Sequence, residues 1–140
     1  MIEIANQFVR SLIKQQKKSR LLVDQACLLL LDGSNKYSLR QLASEACLST
    51  KQLERKFKER TGVNPKLFER IIRFDKAFRL KNSHPHLDWL RIAVECNYHD
   101  YQHLSKDYKD FTGLTPNAFH EIENNAPERK FGLSEGYYNT

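Results

Sequence analysis

The sequence predicts an all-α protein made of two similar helical units joined by a long helix. Three observations support this prediction. The chain has only five glycines and four prolines in 140 residues, which is too few for a loop-rich β fold. Apolar residues recur at helical spacing between clear capping signals. Residues of the first half also match residues of the second half at a nearly constant offset, which indicates an internal repeat.

In the first half, capping signals mark where helices begin and a glycine marks where the last one ends. Ser38 and Ser49 are each followed three residues later by a glutamine, which is the capping-box pattern of a helix start. Gly62 is typical of a helix end. We therefore predict two consecutive helices here, preceded by an apolar helical segment over 21–31 and an amphipathic one over 1–20.

The second half opens with a long amphipathic segment and then repeats the pair of helices. Asn64-Pro65 is an N-cap with proline at the first helical position, and the segment it opens ends before His84-Pro85. A second pair of helices starts at Asp88 and at Asp100. Thr115-Pro116 opens one more short helix.

The two pairs of helices are copies of one unit. At an offset of 51, the residues Leu53, Phe57, Thr61, Gly62 and Pro65 match Leu104, Tyr108, Thr112, Gly113 and Pro116. Upstream, Leu42-Ala43 match Ile92-Ala93 at an offset of 50, so the second copy has one extra residue in its turn. Each copy is a short helix, a tight turn and a longer helix with a polar outward face. This is the helix-turn-helix pattern, in which the second helix lies in the DNA major groove.

The predicted fold class is thus all-α, with two helix-turn-helix subdomains joined by a long linker helix. The predicted segments are an N-terminal helical extension or remnant of an interdomain linker (1–20), the first helix-turn-helix subdomain (21–63), the linker helix (64–82), the second helix-turn-helix subdomain (83–123) and an irregular C-terminal tail (124–140).

The charge distribution indicates a polyanionic partner. The chain has 23 basic and 17 acidic residues, with a formal net charge of +6. Residues 49–87 contain eleven Lys and Arg against four acidic residues, a concentration that suits nucleic acid. Residues 88–113 contain three basic and five acidic residues. We therefore expect DNA affinity to depend mainly on the first unit and the linker helix.

The segments 38–62, 70–74 and 111–116 together resemble the AraC/XylS family of bacterial transcription regulators. The resemblance covers roughly Val23 to Glu121. It implies sequence-specific binding of double-stranded DNA, transcription regulation as an activator, RNA polymerase as a protein partner, and a cytoplasmic location without membrane attachment. It also implies an effector or dimerisation domain, which we expect to be missing from this chain because only about 20 residues precede the domain.

The length of the linker helix predicts how DNA is approached. A helix from Pro65 to Lys81 has 17 residues and is about 25 Å long. With the breadth of the flanking helices added, the two recognition helices are expected about 34 Å apart, one turn of DNA. A monomer would then reach two adjacent major-groove segments.

The outward faces of the two recognition helices supply the expected base contacts, because Leu53, Phe57, Leu104 and Tyr108 must face the core. The predicted base-reading residues are Thr50, Lys51, Glu54, Arg55, Tyr101, Gln102, Ser105 and Lys106. Arg55 leads this set, since its guanidinium fork suits the O6 and N7 atoms of guanine. The alternatives for Arg55 are an ion pair with Glu59 one turn later, or that Lys51 and Arg55 are simply solvated. The alternative for Tyr101 is that it covers the helix start.

Phosphate contacts are expected from basic side chains and helix N-termini near these faces. The predicted residues are Ser38, Arg40, Ser49, Lys58, Arg70, Arg73 and Lys109. For Arg70 and Arg73 an intramolecular salt bridge with Glu69, Asp75 or Asp107 is an equally good interpretation.

The two turns depart from the usual pattern of the family. The position usually filled by glycine is Cys47 in the first copy and Asn97 in the second. Asparagine tolerates a left-handed backbone, whereas cysteine does so poorly. The first turn is therefore expected either to have a different shape or to store strain.

Other functions have less support in the sequence. No phosphate-binding glycine loop or catalytic motif is present, so we predict no enzymatic activity and no cofactor. Cys96, His99 and His103 have ligand-like spacing but lack an obvious fourth ligand, so we predict no metal site. The remaining alternative is a helical protein-interaction module without specific DNA readout, which would bind its partner with little dependence on salt.

Overall fold

The computed structural model describes residues 22–127, so the predicted extension over 1–20 and the tail beyond residue 127 lie outside the described residues. Within 22–127 the chain forms seven α-helices and no strand, which confirms the predicted all-α fold. The helices are α1 (Leu22–Asp32), α2 (Leu39–Glu45), α3 (Thr50–Thr61), α4 (Pro65–Ser83), α5 (Trp89–Glu95), α6 (Tyr101–Thr112) and α7 (Pro116–Asn124). None of these seven helices is long and apolar enough to cross a membrane.

The chain divides into two compact units, one ending at Pro65 and the other beginning at Lys66. In the first unit, α1, α2 and α3 pack against one another. Its buried apolar side chains are Val23, Ala26, Leu30, Leu42, Ala43, Ala46, Leu53 and Phe57. Leu53 and Phe57 lie one turn apart on α3 and are fully buried, so α3 turns inward the face that was predicted.

In the second unit, α5 and α6 pack together and α7 packs on α6. The core cluster consists of Ala77, Ile92, Ala93, Cys96, Tyr98, Leu104 and Tyr108. Tyr108 is the largest fully buried side chain, and Phe74 meets its ring edge-on at 4.8 Å between centroids. Its hydroxyl lies 3.0 Å from Nε2 of the buried His120. These aromatic rings are therefore core residues rather than stacking platforms for bases.

The helix boundaries follow the capping signals. The side chain of Ser38 accepts from the backbone of Gln41, the side chain of Gln41 accepts from the backbone of Ser38, and the same reciprocal pair forms at Ser49. Gly62 ends α3 with a left-handed backbone at φ 84°. The helix α4 ends at Ser83, two residues beyond the predicted Lys81. The hydroxyl of Ser83 donates to the carbonyl of Arg79 at 2.9 Å, one turn earlier in the same helix.

The two helix-turn-helix turns have the same backbone shape. Cys47 has φ 53° and Asn97 has φ 61°, and these are the two non-glycine residues with positive φ in the described part of the chain. The residue after each turn donates to the carbonyl five positions earlier, from Leu48 to Ala43 and from Tyr98 to Ala93, both at 2.9 Å. The first turn is therefore not reshaped to suit its cysteine, and Cys47 adopts an unfavourable left-handed backbone.

Replacing Cys47 by glycine is expected to stabilise the first unit. A left-handed backbone costs a side-chain-bearing residue about 1–2 kcal/mol, and the extra flexibility of unfolded glycine offsets about half of that gain. We expect Cys47→Gly to raise the free energy of unfolding by about 0.5–1 kcal/mol in a denaturant titration. Asn97→Gly serves as the matched control and should gain less, because asparagine tolerates this conformation. A loss of stability in Cys47→Gly would show that the thiol makes a favourable contact that outweighs the strain.

Candidate nucleic-acid interface

The outward face of α3 is polar, exposed and rich in cations. The five residues Thr50, Lys51, Glu54, Arg55 and Lys58 are all exposed, as expected for a helix that turns Leu53 and Phe57 inward. Within residues 22–127 the side chains of Lys51, Arg55 and Lys58 make no ion pair. The alternative in which Glu59 holds Arg55 is therefore not seen in this structure. Their charges remain available to a polyanion.

The N-terminus of α3 adds backbone donors to this face. The capping box at Ser49 satisfies the N–H groups of Ser49 and Gln52, with contacts of 3.0 and 3.2 Å. The N–H groups of Thr50 and Lys51 lie between them in the first turn, where a helix cannot satisfy its own donors. Such groups can donate to an anion at the positive end of the helix dipole. Both Ser38 and Arg40, at the start of the supporting helix α2, are exposed as well.

The outward face of α6 is less uniform. Gln102 and Lys106 are exposed, whereas Tyr101 and Ser105 are half-buried. Tyr101 packs against the core cluster of the second unit. This packing favours the interpretation that its ring covers the start of α6. A base contact by Tyr101 stays a prediction, as do the base contacts of the other seven residues. Lys109, one turn before the end of α6, is exposed.

Arg70 on α4 is held by two carboxylates of α6. Its Nε and Nη2 atoms lie 2.8 and 2.7 Å from Oδ1 of Asp107, and Nη2 lies 2.5 Å from Oδ2 of Asp110. The hydrogen bonds that Arg70 donates to Asp107, and then to Asp110, raise the pKa of Arg70. Asp107 is buried, with a side chain 6% exposed. The intramolecular salt bridge proposed as an alternative for Arg70 is thus formed, and a phosphate contact by this residue would require the pair to open.

Arg73, one turn further along α4, is also engaged within the second unit. Its Nη1 lies 3.7 Å from Oε1 of Glu69, and its guanidinium lies over the Tyr98 ring at 5.2 Å from the centroid. Cation–π contact and ion pairing both favour this placement. The phosphate contacts of Arg70 and Arg73 stay predictions, and both would compete with the contacts described here.

The ion pairs of Arg70 offset part of the negative charge of the second unit. Two of the five acidic residues in 88–113, Asp107 and Asp110, share the single positive charge of Arg70 on the linker helix. The negative charge predicted for this unit is therefore partly compensated. The compensating cation is Arg70, which was expected to contact DNA phosphates. The unpaired cations of α3 should therefore contribute a larger share of any electrostatic attraction to phosphate.

A side-chain cluster lies at the start of α6, and its aspartate was not predicted as a ligand. Asp100 is the N-cap, and its Oδ1 accepts from the backbone N–H of His103 at 2.8 Å. The rings of His99 and His103 both contact the same carboxylate. The signal was present as two histidines at i, i+4 spacing around an aspartate, but Cys96 was considered as the third member instead. Cys96 is fully buried in the core, so it cannot join them.

Comparisons with known proteins agree with this architecture. Residues 42–122 match the family model described as a helix-turn-helix domain. No curated protein matches the chain. The solved structures that are similar in fold include three at 21–22% sequence identity.

The first of these structures is the DNA-binding domain of the global transcriptional factor AdpA in complex with a target DNA, with a TM-score of 0.66 at 21% identity over 74% of this chain and 93% of that one. The second is a DNA-binding transcriptional dual regulator from Escherichia coli K-12, with a TM-score of 0.62 at 22% identity over 74% of this chain and 99% of that one. The third is a transcriptional regulator with an AraC-type DNA-binding domain from Chromobacterium violaceum, with a TM-score of 0.64 at 22% identity over 76% of this chain and 94% of that one.

Proposed function

This chain belongs to the helix-turn-helix domain family and has the fold of an AraC-type DNA-binding domain, and we propose that it regulates transcription by binding double-stranded DNA sequence-specifically. In this proposal α3 and α6 are the recognition helices, and they enter adjacent major-groove segments of one DNA face. The resemblance to the AraC/XylS family inferred from the repeat is confirmed by the family match and the fold.

The feature that supports this function most is the exposed face of α3. It brings Lys51, Arg55 and Lys58 together on one recognition helix with no carboxylate partner within residues 22–127. A cluster of exposed cations on one face of a helix is the electrostatic pattern expected of a surface that binds nucleic acid. The family fold makes a duplex the partner that suits these unpaired cations best.

The residue roles follow from this placement. We propose that Arg55, with Lys51 and Glu54, contacts base edges from α3, and that Gln102 and Lys106 do so from α6. Gln102 suits adenine, to which an amide side chain can bond at two positions. Lys58 and the first-turn N–H groups of α3 are proposed to contact phosphates. We also propose RNA polymerase as a protein partner, a role in activation and a bacterial cytoplasmic setting, all three of which follow from the family resemblance alone.

Selection of bound sequences from random duplexes, followed by affinity measurements across salt concentrations, tests the function directly. We expect one enriched motif. If about five phosphates are contacted, affinity should fall about 500-fold between 50 and 200 mM salt. A helical protein-interaction module predicts neither result. No enriched motif, or an affinity that barely changes with salt, would favour that alternative.

Lys58→Ala separates phosphate contacts from base contacts. The loss of one phosphate contact should weaken binding about equally on every duplex and reduce the salt slope by about one. Arg79→Ala is the matched control, because Arg79 is paired with Asp75 through a 2.8 Å contact and lies outside the proposed interface. An unchanged salt slope in Lys58→Ala, or an equal change in Arg79→Ala, would remove Lys58 from the interface.

A further inference from the structure

The internal repeat makes the start of α6 comparable with the start of α3, position by position. Residues of the two units correspond at a sequence offset of 50 as far as Leu48 and Tyr98. The helix N-caps Ser49 and Asp100, which come next, are 51 apart. The one extra residue of the second unit is therefore His99. At the third helical position, the capping Gln52 of the first unit is replaced by His103. The second unit thus differs from the first here by two histidines and an aspartate.

These three side chains face one another. Nδ1 of His103 lies 2.8 Å from Oδ1 of Asp100, and Nδ1 of His99 lies 3.3 Å from Oδ2 of the same carboxylate. The two imidazole rings are 5.5 Å apart between centroids. One candidate ligand atom from each residue lies within 4.8 Å of the others. Ligands bound at about 2.1 Å in a tetrahedral site are about 3.4 Å apart, so small side-chain rotations would bring all three onto one ion.

The chemistry of the three groups suits a metal ion. An aspartate carboxylate such as that of Asp100 is ionised at neutral pH and is a hard anionic ligand. His99 is 84% exposed and His103 is 62% exposed, so both rings can rotate and an ion can reach them from solvent. Two imidazoles and one carboxylate form a ligand set that borderline divalent transition metals prefer, and the remaining coordination positions are open to water.

We propose that His99, Asp100 and His103 bind a divalent transition-metal ion such as Zn²⁺ at the N-terminus of α6. This site replaces the ligand set considered from the sequence, because Cys96 is buried in the core and Asp100 takes its place. The positive end of the helix dipole opposes a bound cation, but this effect is weak in an exposed setting and the Asp100 carboxylate offsets it.

Calorimetric titration of Zn²⁺ into the full chain tests the site. The Cys47→Gly background removes the exposed thiol, which could bind zinc by itself. We expect one equivalent of Zn²⁺ to bind. The double variant His99→Gln/His103→Gln should lose at least about 100-fold in affinity, more than the loss of a ligand's supporting residue causes. Zinc binding that persists in the double variant, or no binding in the parent, would overturn the site.

Two further variants test whether the ion binds at this site and whether the carboxylate is a ligand. His84 and His86 are a second exposed pair, with rings 6.0 Å apart. Zinc affinity should be unchanged in His84→Gln/His86→Gln, and a loss there would place the ion elsewhere. Asp100→Asn keeps a good helix cap but removes the charged ligand. We expect it to weaken zinc binding with little change in unfolding, and full zinc affinity in this variant would contradict the role of the carboxylate.

A consequence for DNA rests on the proposed function. A metal ion at the start of α6 adds two positive charges beside Gln102, on the helix that is proposed to enter the major groove between two phosphate backbones. Zn²⁺ should then raise the affinity for the selected duplex severalfold, and the duplex should raise the affinity for Zn²⁺ by the same factor. Zinc binding with no effect on DNA would contradict the placement of α6 on the duplex, whereas an absence of zinc binding would contradict the site itself.

Discussion

Replacing Leu53 by alanine is expected to lower the free energy of unfolding of the first unit by about 2–5 kcal/mol, and Leu104→Ala should do the same in the second unit. Both leucines are fully buried, and they occupy equivalent positions beneath the outward faces of α3 and α6. Each substitution removes buried methyl groups and leaves a cavity in a small core that can only partly relax. Denaturant titration followed by circular dichroism measures both losses.

Exposed leucines of the same units are the matched controls for this experiment. Leu28 on α1 is 47% exposed and Leu90 on α5 is 62% exposed. Alanine at either position should change stability by no more than about 0.5 kcal/mol. A Leu53→Ala or Leu104→Ala variant as stable as its control would mean that the helix is rotated, and the base-reading face assigned to that helix would then be wrong.

The helix boundaries could be predicted from the sequence because capping is a local interaction. Ser38 and Gln41 are three residues apart, and their reciprocal hydrogen bonds form wherever the chain turns into a helix. Gly62 ends α3 for an equally local reason, since a left-handed backbone favours glycine. The inward faces followed from the repeat, because Leu53 and Leu104 match at a fixed offset and both are buried.

The ion-pair partners of Arg70 could not be predicted from local sequence in the same way. Three carboxylates were candidates from the sequence, and one of them, Asp107, is a partner in the structure. The second partner, Asp110, was not among them. Asp107 and Asp110 are 37 and 40 residues away, so their proximity depends on how α4 and α6 pack within the second unit. Long-range packing of this kind has no signature in the spacing of residues along one helix.

Asp100 was not predicted as a ligand beside the two histidines for a related reason. Helical spacing placed the two histidines on one side of the helix. Whether Cys96 can join them depends on where its side chain points, which the spacing does not give. Cys96 caps the end of α5 and is fully buried, so its thiol belongs to the core, and burial raises its pKa to about 11. The aspartate at the helix cap fills the position instead, because the capping geometry already turns its carboxylate toward His103.

The pairing of charges within the second unit makes α3 the helix on which DNA affinity should depend most. Arg70 is occupied by Asp107 and Asp110, so the linker helix contributes less free charge than its composition suggests. On α3 the exposed side chain of Arg55 has no ion pair within residues 22–127 and lies in the middle of the outward face. Of the cations on that face, it alone carries the planar fork that can bond to guanine at two positions.

Arg55→Ala is therefore expected to weaken binding to the selected duplex by about 1–3 kcal/mol, which is about 5–150-fold in Kd. The loss should be accompanied by relaxed preference at one base pair, because the fork contacts a single guanine. Competition between the selected duplex and variants with each base pair changed measures the affinity and the preference together. The control is Arg55→Lys, which keeps the charge but cannot form the two parallel hydrogen bonds.

The two variants together distinguish base recognition from simple attraction. If Arg55 contacts a guanine, Arg55→Lys should also lose the preference at that base pair while recovering part of the affinity. If Arg55 contacts a phosphate, Arg55→Ala should weaken binding to all duplexes alike, and Arg55→Lys should restore most of the affinity with the preference intact. An affinity unchanged in Arg55→Ala would place the residue outside the interface, and the outward face of α3 would then have to be oriented on DNA through Lys51 and Glu54 instead.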